Sequence, residues 1–337
     1  MVLVKHAVYG PVPSWRFGVS LGIDPTLPPK KCSLNCIYCQ VGRTKYHLDY
    51  LDTAASSIDM LTPSDLRDSL EAYIPDLNIS DIDIVIFSGS GEPSLNAQLS
   101  ELIDVVRSVL PDKPVGILSN GTLIDHEKVR QAYLKLDMVT LKLDAASQEL
   151  FQTINRPHPF TPPIRELIEY YHIFRMNYPG FLGIEVMALE YKGISNISGQ
   201  HAEALLNALT YISPDVIELE VPSRPPSNSM VSVPDQQTID AFVKILHRKF
   251  GEGRVWTYGD HKTSKVAKIF TSDDFIENRI ESIVAHRPCT INDFCSLFDK
   301  DKEDMQVILD KLLANRRIAS KDYENQEYYV PTSDQTA

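Results

Sequence analysis

The sequence predicts an α/β fold, a curved and open (β/α)6 sheet, followed by a small C-terminal module patterned as a winged helix-turn-helix. Three observations predict it. Six apolar strand segments alternate with six helical ones up to residue 258, and such alternation gives a parallel sheet with crossover helices. The series stops two units short of a closed eight-fold barrel. A curved open sheet fits it better than a flat doubly wound one, although the alternation alone barely separates the two. Past a polar break at 259–272, three helices and two short strands complete the chain.

The elements follow in order. Residues 1–15 read as a turn-rich arm, with Pro11 and Pro13 inside Tyr9-Gly-Pro-Val-Pro-Ser14. Residues 17–23 place apolar side chains at alternate positions and read as the first strand. Thr62 is a candidate N-cap for a helix over 63–76. Continuous apolar runs predict strands at 83–88, 115–119, 138–143, 181–187 and 216–221, with a short last strand at 254–258. Helices are expected over 96–110, 125–135, 162–177, 199–211 and 235–250. In the module they are expected over 273–286, 290–298 and 302–315, and strands at 318–321 and 328–330 pair across 322–326. The domain plan is therefore 1–258, a linker at 259–272, the module at 273–331 and a tail at 332–337. No repeat of 20–50 residues and no low-complexity tract interrupts it.

Composition narrows the function. The chain has 337 residues and a formal charge of −12, which argues against a surface that grips nucleic acid throughout, because phosphate binding is mostly a lysine and arginine effect. Neither a basic-then-apolar leader nor a run of about 18 apolar residues is present, so no membrane role is expected. Three of the five cysteines fall within eight residues. Such crowding points to a metal rather than to a disulfide framework, and to a reducing cytoplasm.

Cys32-Ser-Leu-Asn-Cys36-Ile-Tyr-Cys39 sits on a loop just after the first strand. Three thiolates hold three irons of a cubane and leave the fourth open to a chelating small molecule, whereas a structural zinc site closes its fourth position. Zinc completed by a histidine such as His47 is the alternative, and His47 lies eight residues past Cys39. Polar residues also recur at the carboxyl ends of successive strands, where α/β folds build sites. They are Gly89, Gly91 and Glu92, then Ser119 and Asn120, then Lys142 and Asp144, then Glu185, and lastly Glu218, Glu220 and Arg224. A tight turn, a salt-bridged pair or a solvated carboxylate is the plain reading of each taken singly. Arg224 and Arg156 are candidates to clamp an anionic group.

Cys32-x3-Cys36-x2-Cys39, with Tyr38 before the third cysteine, resembles the signature of the radical SAM superfamily. The Tyr9–Ser14 arm, Leu21-Gly-Ile and Gln40-Val-Gly-Arg-Thr44 resemble a branch of it related to the wyosine-forming tRNA enzymes. The resemblance implies a partial, TIM-like (β/α)6 barrel and a 4Fe–4S cluster on Cys32, Cys36 and Cys39, which are thereby both metal ligands and catalytic. It implies S-adenosylmethionine chelated at the open iron and reductively cleaved to a 5′-deoxyadenosyl radical. Ser88-Gly-Ser-Gly-Glu92 matches the family's Gly-Gly-Glu segment. The implied cofactor-binding set is Tyr38, Gly89, Gly91, Glu92, Ser119, Asn120, Lys142, Asp144 and Glu185. A substrate that is tRNA or a protein or peptide is expected, with a small molecule as the other option, and a reductant such as flavodoxin or ferredoxin as partner. Unlike the wyosine-forming enzymes, this chain has no cysteine before Cys32. Cys289 and Cys295 are too few for a second cluster and read as small core hydrophobes. The competing class is an iron–sulfur or zinc regulatory protein without radical chemistry.

The module does not read as a DNA binder. Residues 272–337 hold 8 Lys plus Arg against 14 Asp plus Glu, and the third helix opens on Asp301-Lys-Glu-Asp304, which would repel phosphates.

Overall fold

Apolar segments of three to seven residues make one eight-stranded sheet. Its strands are β1 (Val8–Ser14), β2 (Gly18–Ile23), β3 (Ile84–Phe87), β4 (Val115–Ser119), β5 (Met138–Lys142), β6 (Phe181–Met187) and β7 (Val216–Glu220), with β8 (Val255–Thr257) last and shortest. They lie side by side in chain order. β1 runs antiparallel to β2, and every later neighbour is parallel. The sheet curls into a partial barrel of the TIM-like kind, with β1 and β8 as its edges. This computed structural model describes residues 6–49, 59–258 and 273–332. The expected linker at 259–272 lies outside the described residues, as do 1–5 and 333–337.

Crossover helices cover the outside. They are α1 (Pro63–Tyr73), α2 (Leu99–Val109), α3 (Glu127–Tyr133), α4 (Gln148–Ile154), α5 (Ile164–Asn177), α6 (Gly199–Ile212) and α7 (Gln236–Phe250). Each buries one apolar stripe: Leu66 and Leu70 from α1, and Leu102, Ile103 and Val106 from α2, lose all contact with water. Burial of that kind stabilises by about 1.5–3 kcal/mol per side chain. Thr62, Ser147 and Asp235 cap α1, α4 and α7 by accepting a backbone N–H of the first turn.

One expectation fails here for an identifiable reason. The arm is a strand: β1 occupies the sheet edge, where Pro11 and Pro13 forgo ladder bonds that an edge can spare, and a register shift separates Tyr9 from Val12. The short α4, seven residues between Ser147 and Asn155, lies where the sequence pattern assigned no element.

The C-terminal module consists of α8 (Asp273–His286), α9 (Ile291–Phe298), α10 (Lys302–Ala314), β9 (Ala319–Tyr323) and β10 (Gln326–Val330). Its own core gathers Ile280, Ile283, Phe294, Leu309, Leu312 and Tyr329. Thr290 and Asp293 form a reciprocal capping box on α9. The hairpin turn is tighter than the expected 322–326, since Glu324 and Asn325 both take positive φ and close a two-residue turn. α8 lies along β1. Ser282 Oγ donates to Val8 O at 3.3 Å, Arg279 pairs with Asp76 at 2.8 Å, and Val12 packs into the module core. The free edge of the sheet is thus covered. Among the described residues no helix is long and apolar enough to cross a membrane.

Candidate active site

The three cysteines occupy a loop that adjoining segments pin from both sides. Asn35 N and Ile37 N donate to the carbonyls of Asn155 and Ile154 at the end of α4, each at 2.9 Å. Asn228 N and Ser227 Oγ hold the carbonyl of Ile37 from the loop after β7. All three thiols are free and half-buried. Each sulfur accepts from nitrogen: Cys32 from Leu34 N and Asn120 Nδ2, Cys36 from Asn155 Nδ2, and Cys39 from Lys30 Nζ at 2.9 Å. Burial pushes Cys32 up to about 12 and Cys36 up to about 11. The same burial acts on Cys39, but the Lys30 ammonium outweighs it and holds that thiol below its ordinary value. His47 faces Ser33 O at 3.1 Å and its ring meets His158 edge-on.

The Ser88–Glu92 turn lies against the cysteine-bearing segment. A side chain on Gly91 would come within 1.9 Å of Lys31 O, and one on Gly89 within 2.3 Å of the Asp24 carboxyl carbon. Both glycines therefore serve an approach of protein to protein, where close access for a ligand was expected. Glu92 is 2% exposed. Its carboxylate accepts from Ser94 N, Ser94 Oγ, Ser119 Oγ and Asn120 N. Asn120 Nδ2 donates to Ser33 Oγ at 2.9 Å and its Oδ1 accepts from Thr122. These bonds fasten β3 and β4 to the cysteine loop. Glu92 Oε1 takes three of them and Oε2 only the one from Asn120 N.

On the other flank, Tyr38 OH donates to Asp144 Oδ2, which also receives Asn155 Nδ2 at 2.6 Å, while Oδ1 takes Met187 N at 2.9 Å. Lys142 Nζ lies 2.6 Å from Glu185 Oε1 and 4.8 Å from the Tyr38 ring centre. Lys142, Glu185 and Glu218 are cross-strand neighbours in one row inside the barrel. Arg16, in the turn between β1 and β2, reaches Glu185 at 2.7 Å, Glu218 at 3.1 Å and Glu220 at 3.5 Å. Burial raises both carboxyls of the row, but Lys142 and Arg16 bring Glu185 well below the usual range. Glu218 is fully buried, Arg16 offsets only part of the effect, and its carboxyl is pushed up to about 7.

Asp24 is a site residue that the sequence analysis did not single out. Its Oδ1 accepts from Thr26 N, Thr26 Oγ1 and Leu27 N; its Oδ2 accepts from Ser90 N and Ser90 Oγ. His286 Nε2, from the end of α8, lies 2.9 Å from that same Oδ2, and its ring stacks on Tyr9. Asp24 does stand at the carboxyl end of β2, so it matched the rule applied to the other strands. Its partner His286 carried no signal at all.

A cavity of about 510 Å³ opens between the barrel interior and the module. Gln40, Ser88 and Gly89 line it from the site loops, Arg16 from the turn between β1 and β2, Arg224 from the loop after β7, and His286 from the module. That volume suits a small molecule or one nucleotide-sized group. Of the expected residues, Gly89, Glu220 and Arg224 line this cavity, whereas the three cysteines, Glu92, Lys142, Asp144 and Glu185 do not; Arg156 lies beside Arg43 in a separate polar one of about 230 Å³. Cys289 and Cys295 belong to the module core.

Comparison with known proteins agrees with this architecture. The Radical SAM superfamily profile matches residues 26–184. A UPF0026 protein of Methanocaldococcus jannaschii is 29% identical over 322 residues, covering 96% of this chain and 95% of that protein. A UPF0026 protein of Synechocystis sp. is 32% identical over 219 residues, covering 65% of this chain and 76% of that one. Among solved structures, Streptococcus suis SuiB bound to S-adenosylmethionine superposes with a TM-score of 0.50 at 13% identity, covering 70% of this chain and 52% of that one, a likeness of fold alone. The chain belongs to the UPF0026 family and is a radical SAM enzyme.

Proposed function

From that membership we propose that Cys32, Cys36 and Cys39 hold a 4Fe–4S cluster with one iron left to S-adenosylmethionine. When bound, the cluster supplies one electron for reductive cleavage of S-adenosylmethionine to methionine and a 5′-deoxyadenosyl radical, which takes hydrogen from a substrate. The donor set supports this reading. The three thiols are unbridged, each sulfur faces an N–H donor, and N–H···S bonds are what tune cluster sulfurs.

The surrounding residues have stated tasks in this reading. Lys30 neutralises the Cys39 side, and Asn120 and Asn155 orient Cys32 and Cys36. Glu92 and Asp24 set the backbone of the Ser88–Glu92 turn that faces the cavity. Tyr38, Lys142, Asp144 and Glu185 form a bonded cluster on the other flank of the cysteine loop, which in this reading keeps water from that side. The module is read as a winged helix that closes the cavity, since His286, Arg287 and Asp293 line it; the exposed Asp301, Glu303 and Asp304 at the start of α10 speak against DNA as its partner. The relation to wyosine-forming enzymes keeps tRNA as a substrate to test, alongside a peptide.

The test is anaerobic reconstitution with iron and sulfide, dithionite reduction and quantification of 5′-deoxyadenosine. Wild type should release it, and Cys36→Ala should fall to background with loss of iron. A protein that binds S-adenosylmethionine without cleaving it, or that retains zinc in a closed site, would return the chain to a regulatory reading.

A further inference from the structure

The cavity's charges are balanced on one side only. Arg16 is surrounded by Glu185, Glu218 and Glu220, and His286 faces Asp24. Arg224 and Arg287 line the same cavity, and among the described residues neither has a carboxylate at ion-pair distance. Each makes one bond to a backbone carbonyl: Arg224 Nε to Pro288 O and Arg287 Nη1 to Pro13 O, both at 3.0 Å. Arg287 Nε is buried and has no acceptor. The two guanidiniums are near enough that Arg287, after burial itself, holds Arg224 below its ordinary basicity. Asp293, on the same wall, acts favourably on Arg224 through its charge but makes no ion pair with it, and its Oδ2 accepts the N–H and hydroxyl of Thr290.

Two adjoining cations left unneutralised, one with an orphaned donor, are costly unless something occupies the space between them. Planar guanidiniums match an oxyanion by paired N–H···O bonds. A dianion answers two of them, whereas a single carboxylate answers one.

We propose that Arg224 and Arg287 bind a phosphate group of the substrate, so that the barrel and the C-terminal module each contribute one arm of the same subsite. Arg224 follows β7 and Arg287 follows α8, so the module completes the substrate pocket as well as covering the sheet edge. The inference rests on the radical SAM reading for its location beside Gln40 and Gly89, and it names the chemistry the substrate presents there.

The probe is inorganic phosphate, titrated calorimetrically into full-length, reconstituted protein saturated with S-adenosylmethionine, at fixed ionic strength. Saturable one-site binding in the millimolar range or tighter is expected. Arg224→Gln and Arg287→Gln should each weaken it at least tenfold. Arg224→Lys and Arg287→Lys keep the charge, guard against loss of folding, and should show an intermediate loss because an ammonium cannot fork. No saturable binding to wild type, equal binding in wild type and all four variants, or acetate binding as tightly as phosphate overturns the proposal. So does phosphate binding that S-adenosylmethionine abolishes, which would assign the arginines to the cofactor carboxylate. Calorimetry needs no turnover, so failed cofactor cleavage in wild type would sink the proposed reaction while leaving this result readable.

Discussion

Replacing Asp24 with asparagine tests the join between the site turn and the module. Both carboxylate oxygens face backbone N–H groups: Thr26 and Leu27 on one side, Ser90 on the other. An amide placed either way turns its NH2 onto at least one of them. Orienting it toward Ser90 strands a single buried N–H, at about 1–3 kcal/mol, and forfeits the charge-assisted strength of the remaining bonds. The expected loss is about 3 kcal/mol, read from urea unfolding of the full chain at pH 7.5. The pH dependence adds a second signature. Burial raises the Asp24 carboxyl, but His286 and Ser90 outweigh it and hold it well below the usual range. A depressed carboxyl contributes stability above its unfolded value near 4 and loses it as pH falls toward the folded value. Wild type should therefore weaken below about pH 5, and the variant should show a shallower fall. Stability within about 0.5 kcal/mol of wild type would refute the assignment of an ionised, fully paired Asp24.

Three further outcomes are expected. Glu218→Gln should flatten the dependence of stability on pH between about 5 and 8, because a carboxyl raised to about 7 binds a proton in the folded state that the unfolded state has released, so wild type weakens as pH rises through that window; an unchanged slope in calorimetric unfolding refutes it. Gly91→Ala should cost about 3 kcal/mol or more and lower iron loading, since its methyl meets Lys31 O; normal stability and iron content would count against the close approach. Tyr38→Phe should cost about 1–2 kcal/mol by removing the donor to Asp144, with iron content unchanged; a loss of iron would give Tyr38 a direct part in holding the cluster.

The sequence carried the parallel strands nearly to the residue, because a strand buried on both faces is a continuous apolar run bounded by polar ends. The cysteine loop was equally plain, its spacing being local. What escaped was geometry made by distant segments. Pro11 and Pro13 masked β1, because an edge strand tolerates what an interior strand does not. Glu92 and Ser119 stand at strand ends and read as cofactor-binding residues, and only tertiary packing shows that they bond to each other. Arg16 sits in a short turn and acquires meaning only when β6 and β7 bring three glutamates to it.

The Asp24–His286 contact also bears on biosynthesis. Its two partners are separated by 262 positions, and a chain made from its N-terminus gains the first long before the second. While α8 is still inside the ribosome, the Asp24 carboxylate has Ser90, Thr26 and Leu27 but lacks its histidine. The turn behind the cysteines therefore acquires its last brace only after most of the polypeptide has emerged. Final tightening of the site is a late event in the life of each new molecule, and a truncated chain ending before residue 286 never reaches it.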